Sequence, residues 1–183
     1  VSGPVHLNLP SREPLSGDVP AVDIAPGEAP RPVAAEPLVL ERGPRTVVIA
    51  GADAGPDAEE VAHAGSWPLI AEIVSGARFG RQVVHGYRAL LSDDELGGRI
   101  ERAVVLGHPT LSREVARLLS RADVEVIAVR RGGEALDLNG RTTPAASVAV
   151  AAGPADREWL GAWLTASAAR AVDLSERAPD PVS

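Results

Sequence analysis

The chain has 183 residues, 45% of them hydrophobic but only 3% aromatic, so it has enough material for one domain with an aliphatic core of Val, Leu, Ile and Ala. Its net charge of −7, with no clustered basic run, argues against a phosphate-backbone partner, and the absence of Cys excludes disulfides and thiolate metal sites. No apolar stretch approaches the ~20 residues of a membrane span and no signal peptide opens the chain, so the expectation is a cytoplasmic protein with neither a nucleic-acid nor a membrane partner.

Met is absent even at position 1, and Val1 is read as a cut end. Every basic residue is Arg and none is Lys, which is read as compositional bias. Val5 to Leu9 alternates like a strand until Pro10 and Pro14 stop it. Within residues 1–15 this is an orphan strand, with no sheet of its own to join. From Ser16 to Gly43 the chain carries Pro20, Pro26, Pro30, Pro32 and Pro37. Proline removes backbone donors and fixes φ, which predicts an extended linker over 16–43.

Five short apolar runs follow, at Thr46–Ala50, Pro68–Ile73, Ala103–Gly107, Val124–Val129 and Ser147–Ala151. Unbroken runs of this length mark strands buried on both faces, as in a parallel sheet covered by helices. Helical spacing lies between and after them. Val83, Val84, Tyr87, Leu90 and Leu91 form one face; Leu111, Val115, Leu118 and Leu119 form another, over 111–120. Trp159, Leu160, Trp163 and Leu164 form a third near the C-terminus. The alternation predicts a doubly wound, mostly parallel, Rossmann-like α/β domain over 44–170, with helices on both faces and strand 103–107 central. Residues 171–183 read as a frayed tail or the start of another linker.

Four places offer chemistry. Gly51-Ala52-Asp53-Ala54-Gly55 follows the first apolar run, where a tight turn and a helix start could cradle a phosphate. It lacks a clean G-x-G-x-x-G, and a plain strand-to-helix turn fits as well. Leu106-Gly107-His108-Pro109-Thr110-Leu111-Ser112-Arg113 leaves the central strand and enters a helix, with Thr110 or Ser112 as its cap. Arg113 then stands in the first helical turn, where a cation opposes the helix dipole. Local stability does not explain it, so it is a candidate ligand-facing residue, against the alternative of a solvated surface Arg. Glu72, near the end of the second run, and Arg78 beyond it lie at a possible crevice, and read rather as a surface ion pair. Arg130 and Arg131 precede Gly132-Gly133 and would either grip a carboxylate or phosphate or form a charged turn. The four His show no metal-ligand spacing, and no Ser-His-Asp arrangement with a nucleophile elbow is present.

The residues Gly3-Pro4-Val5-His6-Leu7-Asn8-Leu9-Pro10 resemble the close of the pyrimidine-binding domain in thiamine-diphosphate enzymes. The continuation Arg12-Glu13-Pro14-Leu15, then TVVIAG, WPLIAE with SGAR, and VVLGHPTLSREV, is similar to actinobacterial MenD, the 2-succinyl-5-enolpyruvyl-6-hydroxy-3-cyclohexene-1-carboxylate synthases of menaquinone biosynthesis. The resemblance covers most of residues 1–170. It implies that 1–15 is the last strand of a preceding domain, 16–43 the crossing linker and 44–170 the central domain of a three-domain enzyme. That enzyme, expected to be a homo-oligomer, joins isochorismate to the adduct formed when 2-oxoglutarate is decarboxylated on thiamine diphosphate.

By the same resemblance, thiamine diphosphate and Mg2+ belong to the flanking domains, so the fragment holds no catalytic, cofactor-binding or metal-binding residue. The G-D-G and N-N motif for the diphosphate and metal is absent from the chain. Arg113 matches the family's basic residue facing the dicarboxylate substrates. Some mycobacterial members bind a naphthoate product in an arginine-lined pocket; its Arg after the LG pair is His108 here, and a second aligns with Glu134. Both positions depart from that pocket, and the candidate effector or anion site is His108 with Arg130 and Arg131. Other readings are the central domain of an acetolactate-synthase relative, a stand-alone nucleotide-binding module built on Gly51 to Gly55, and a non-catalytic interaction domain.

Overall fold

The computed structural model describes residues 36–130 and 135–170, with isolated positions 6, 8, 10–13 and 17 near the N-terminus. The expected strand over 5–9 falls largely outside the described residues, and Arg131, Glu134 and the tail 171–183 fall wholly outside them.

Five parallel strands form the main sheet: β2 (Thr46–Ala50), β3 (Leu69–Ala71), β4 (Arg102–Leu106), β5 (Glu125–Val129) and β6 (Thr143–Ala145). Their order is β3-β2-β4-β5-β6. Numbered among themselves, they run 2-1-3-4-5, a doubly wound order whose direction reverses between β2 and β4. β4 is central and flanked by β2 and β5, as the apolar run 103–107 predicted.

Strand residues alternate between two cores. Val47, Ile49, Ala103, Val105, Val126 and Ala128 face one side, joined by Leu90, Val115, Leu118, Leu119, Trp159 and Trp163. These come from α2 (Tyr87–Leu91), α3 (Arg113–Leu119) and α4 (Arg157–Ala168). Val48, Ala50, Val104, Leu106 and Ile127 face the other side, with Ala58, Ala62 and Trp67 from α1 (Asp57–Gly65) and its exit. The helices thus cover both faces, and every β2 and β4 residue is buried.

Helix ends follow local rules. Asp156 caps α4 by accepting the Trp159 N–H at 2.9 Å. Trp159 then meets Trp163 edge-on, one helical turn later, with centroids 5.6 Å apart, and its indole N–H donates to the Thr46 carbonyl at 2.9 Å. Asp57, Glu59 and Glu60 in the first turn of α1 suit its dipole.

Several expectations need correction. The run Ser147–Ala151 is a strand, β7 (Val148–Val150), but it stands outside the main sheet. It pairs in parallel with β1 (Leu38–Leu40), which lies inside the stretch read as a linker. A half-buried apolar run does not reveal which neighbour it will find. The fifth place in the main sheet goes to β6, whose Pro144 is tolerable only because the strand lies at an edge. Val83 and Val84 are not helical; Val83 bridges to Leu69, and the Val84 N–H donates to the Leu69 carbonyl at 2.9 Å.

Arginines fasten the entering segment. Arg42 donates to the carbonyls of Ala64 and Gly65 at the end of α1 and to Ala151 after β7, at 2.6, 3.3 and 2.9 Å. Arg102, nearly buried, joins Glu125 at 2.7 Å and the Glu41 carbonyl at 2.6 Å. Arg45 pairs with Glu101.

Candidate functional site

In an open sheet of this order, ligands bind beyond the carboxyl ends of the strands at the reversal point, here between β2 and β4. Two loops leave that point, 51–56 and 107–112, and they close on each other. Ala52 and His108 form an antiparallel bridge, with N–H···O distances of 3.0 and 2.8 Å. A Cβ on Gly51 would collide with the His108 carbonyl and the Pro109 nitrogen. Gly107 has φ +70°, and a Cβ there would collide with the Ala52 carbonyl oxygen. The space a dinucleotide phosphate would need at Gly51 is filled by the chain itself.

Glu72, directly after β3, completes the closure. It is 1% exposed. Its two carboxylate oxygens accept the N–H groups of Thr110 and Leu111 at 3.0 and 2.9 Å. β3 and β4 lie on opposite sides of β2, so this carboxylate spans the carboxyl end of β2. The expected surface ion pair of Glu72 with Arg78 does not form; Arg78 is exposed, and Glu72 makes no ion pair with any described residue. Sequence reasoning singled out Glu72 but gave it a surface partner, although a carboxylate at the end of an apolar strand is a signal of burial. A charge so placed is buried, and a buried charge needs hydrogen-bond partners.

The helix read from 111 begins at Arg113. Leu111 lies before it and is 44% exposed. Ser112 holds the N-cap place in extended conformation, but its hydroxyl bonds the Glu114 carboxylate at 3.0 Å rather than a backbone N–H. Val115, Leu118 and Leu119 are the buried stripe of α3. Arg113 is two residues from Val115, about 200° round the helix, and projects outward. It is exposed and makes no hydrogen bond or ion pair with a described residue. The carboxyl of Glu114 is held below its ordinary range by its own backbone N–H first, then by the Ser112 hydroxyl, with the fields of Arg88 and Arg113 adding to this.

His108 is half-buried, and its Nδ1 is enclosed without a hydrogen-bond partner among the described residues. Arg130 follows β5 on the neighbouring strand end and donates its N–H to the Ala145 carbonyl at 3.3 Å. The fold therefore brings His108 and Arg130 to adjacent strand ends at the same edge. On the other side of α3's entry, Arg78, Tyr87, Arg88, Ile73 and Leu111 border an open hollow of about 290 Å³. Arg88 donates to the Leu111 carbonyl at 3.2 Å. Ile73, Val74, Phe79 and Leu111 are all large apolar side chains left exposed on the segments leaving β3 and β4. No group of three or more His, Asp or Glu able to hold a metal ion stands among the described residues, and no described helix is long and apolar enough to cross a membrane.

No family model matches the chain. Curated relatives do. The chain is 49% identical over 191 residues to a 2-succinyl-5-enolpyruvyl-6-hydroxy-3-cyclohexene-1-carboxylate synthase of Leifsonia xyli, covering 98% of this chain and 32% of that protein. Synthases of the same name from a Nocardioides species and from Kineococcus radiotolerans are 48% and 46% identical, covering 92% and 94% of this chain. Against all three, the chain spans about a third of the relative's length.

Proposed function

Because the chain belongs to the 2-succinyl-5-enolpyruvyl-6-hydroxy-3-cyclohexene-1-carboxylate synthases, of whose length it spans about a third, we propose that it is their central domain and that it serves the reaction through one side chain, Arg113. The whole enzyme joins isochorismate to the succinyl unit left when 2-oxoglutarate is decarboxylated on thiamine diphosphate with Mg2+. The described residues do not fit that cofactor: the Gly51 turn is filled by the loop at His108, and no acidic or His cluster stands ready for the metal. The flanking two-thirds of the enzyme supply that chemistry, and this segment contributes a rigid sheet edge.

The observation that carries the reading is an exposed guanidinium, without an ion-pair partner among the described residues, in the first turn of α3 at the carboxyl edge of a central strand. A cation there works against the helix dipole, and the favourable field it supplies falls on the exposed neighbour Glu114, so local stability gives it little reason to stand there. Both substrates are dicarboxylates, and the planar fork of Arg suits a carboxylate. The exposed Ile73, Val74, Phe79 and Leu111 support an edge covered by the rest of the enzyme.

The test is Arg113→Ala in the full-length enzyme. A charge-assisted bond is worth about 1.5–3 kcal/mol, so KM for one dicarboxylate should rise roughly ten-fold or more. The melting temperature should stay nearly constant, as for most surface substitutions. Unchanged kinetics for both isochorismate and 2-oxoglutarate would make Arg113 a solvated surface residue and refute the reading.

A further inference from the structure

We propose that Glu72 is a positioning residue for Arg113, acting through the Thr110–Leu111 peptide segment; the claim rests on the substrate-facing role of Arg113 given above. Glu72 is a buried carboxylate without a cationic partner among the described residues, satisfied by two backbone N–H groups. Burying a charge is costly, and an apolar side chain of like volume would fill the space but leave both amides without an acceptor. What it provides is location. Each carboxylate oxygen takes one amide, so the peptide planes of Thr110 and Leu111 are fixed against the end of β3.

The rest of the segment is held on other sides. The bridge of Ala52 to His108 secures its start. The Arg88 guanidinium holds the Leu111 carbonyl at 3.2 Å. Arg113 is two residues beyond Leu111, and α3 has only seven residues, with no hydroxyl cap on its N–H groups. The anchor for the origin of Arg113 therefore lies before the helix, at Glu72. The backbone of Glu72 is itself set in the sheet. Its N–H donates to the Ala50 carbonyl at 2.9 Å, and its carbonyl accepts the Ser75 N–H at 3.0 Å. Arg113 is thus tied to the central strands by a chain of contacts that never touches its own side chain.

Glu72→Gln keeps the shape but leaves one oxygen, so it can accept from only one of the two amides and turns an NH2 group against the other. Glu72→Asp keeps both oxygens and the charge with a shorter reach. In the 183-residue chain, amide hydrogen exchange at Thr110 and Leu111 should speed up about ten-fold or more in Glu72→Gln, given the strength of charge-assisted bonds. It should speed up less in Glu72→Asp, while the amides of β4 stay as in the parent chain. In the full-length enzyme, Glu72→Gln should raise KM for the same dicarboxylate that Arg113→Ala affects, with kcat changed less than about two-fold. The double variant should be no worse than Arg113→Ala alone.

Unaltered exchange at Thr110 and Leu111 in both variants would overturn the proposal at its contact. Additive effects of Glu72→Gln and Arg113→Ala on KM would overturn it as a positioning role. If exchange responds to Glu72 but Arg113→Ala leaves the kinetics untouched, the substrate-facing reading of Arg113 is what fails, and the proposal falls with it.

Discussion

The closure of the reversal point can be measured by placing a methyl group in it. Gly107→Ala adds a Cβ where the Ala52 carbonyl oxygen already stands, at a residue with φ +70°. The left-handed conformation costs an L residue about 1–2 kcal/mol. Overpacking adds about 1–3 kcal/mol, because the obstacle is backbone and cannot rotate away. The sum, about 2–5 kcal/mol, is a large part of the ~5–15 kcal/mol that holds a typical domain together. Gly55→Ala is the control. Gly55 has φ +65° but open space around its Cα, so it carries the conformational part alone. Urea unfolding followed by tryptophan emission suits the comparison. All three tryptophans, Trp67, Trp159 and Trp163, are buried, and they sit in the two cores on opposite faces of the sheet. Gly107→Ala should lower the unfolding free energy by at least about 1 kcal/mol more than Gly55→Ala. Equal losses would show that the loops at Ala52 and His108 stand apart in solution, which would reopen the Gly51 turn to a phosphate.

Arg42→Ala removes three hydrogen bonds to carbonyls of α1 and Ala151 and should cost about 2–3 kcal/mol, read by the same urea titration. Arg42→Lys should recover only part of the loss, since one ammonium cannot reproduce the fork. Glu101 is held below its ordinary carboxylate value of 4.5, first by the Arg45 N–H and then by the Arg45 guanidinium. Its contribution is therefore complete above that value and is lost as pH falls through the lowered one. With a side chain 46% exposed, the effect should be about 1 kcal/mol or less, visible as a smaller acid-side fall in the urea midpoint for Glu101→Gln; an unchanged fall would refute it. The 183-residue chain supplied with thiamine diphosphate and Mg2+ should not decarboxylate 2-oxoglutarate, and detectable turnover would contradict the assignment of that chemistry to the flanking segments.

The parts of the fold legible in the sequence were those whose neighbours are the same on both sides. β2 and β4 are wholly buried, so their apolar runs had no face left to vary, and each was found within a residue of its bounds. β6 shows the reverse. Thr143 and Pro144 are exposed, and the strand exists because the edge of β5 was open to it, a circumstance no local pattern records. β1 and β7 depend on each other across more than a hundred residues, so neither could announce its partner. Leu111 misled because it continues the i, i+4, i+7 spacing, while the chain at Ser112 is still extended.

The site divides in the same way. The position of Arg113 in a first helical turn was legible because its conflict is local: a cation there is visible as soon as the helix is. Glu72 was not, because its meaning depends on strand order. In sequence it lies six residues from Arg78 and 38 from Thr110, so an ion pair with the nearer partner is the natural reading. Only the order β3-β2-β4 carries the end of β3 across β2 to the loop before α3. Once that order is known, the carboxylate, the two amides and the glycines at 51 and 107 form one arrangement. A doubly wound sheet leaves a gap at its reversal point, and an anion satisfies the amides that line it. Here the acceptor is covalently part of the chain: Glu72 takes the amides of Thr110 and Leu111 that a bound ligand would otherwise meet, and on our proposal this fixes the origin of Arg113.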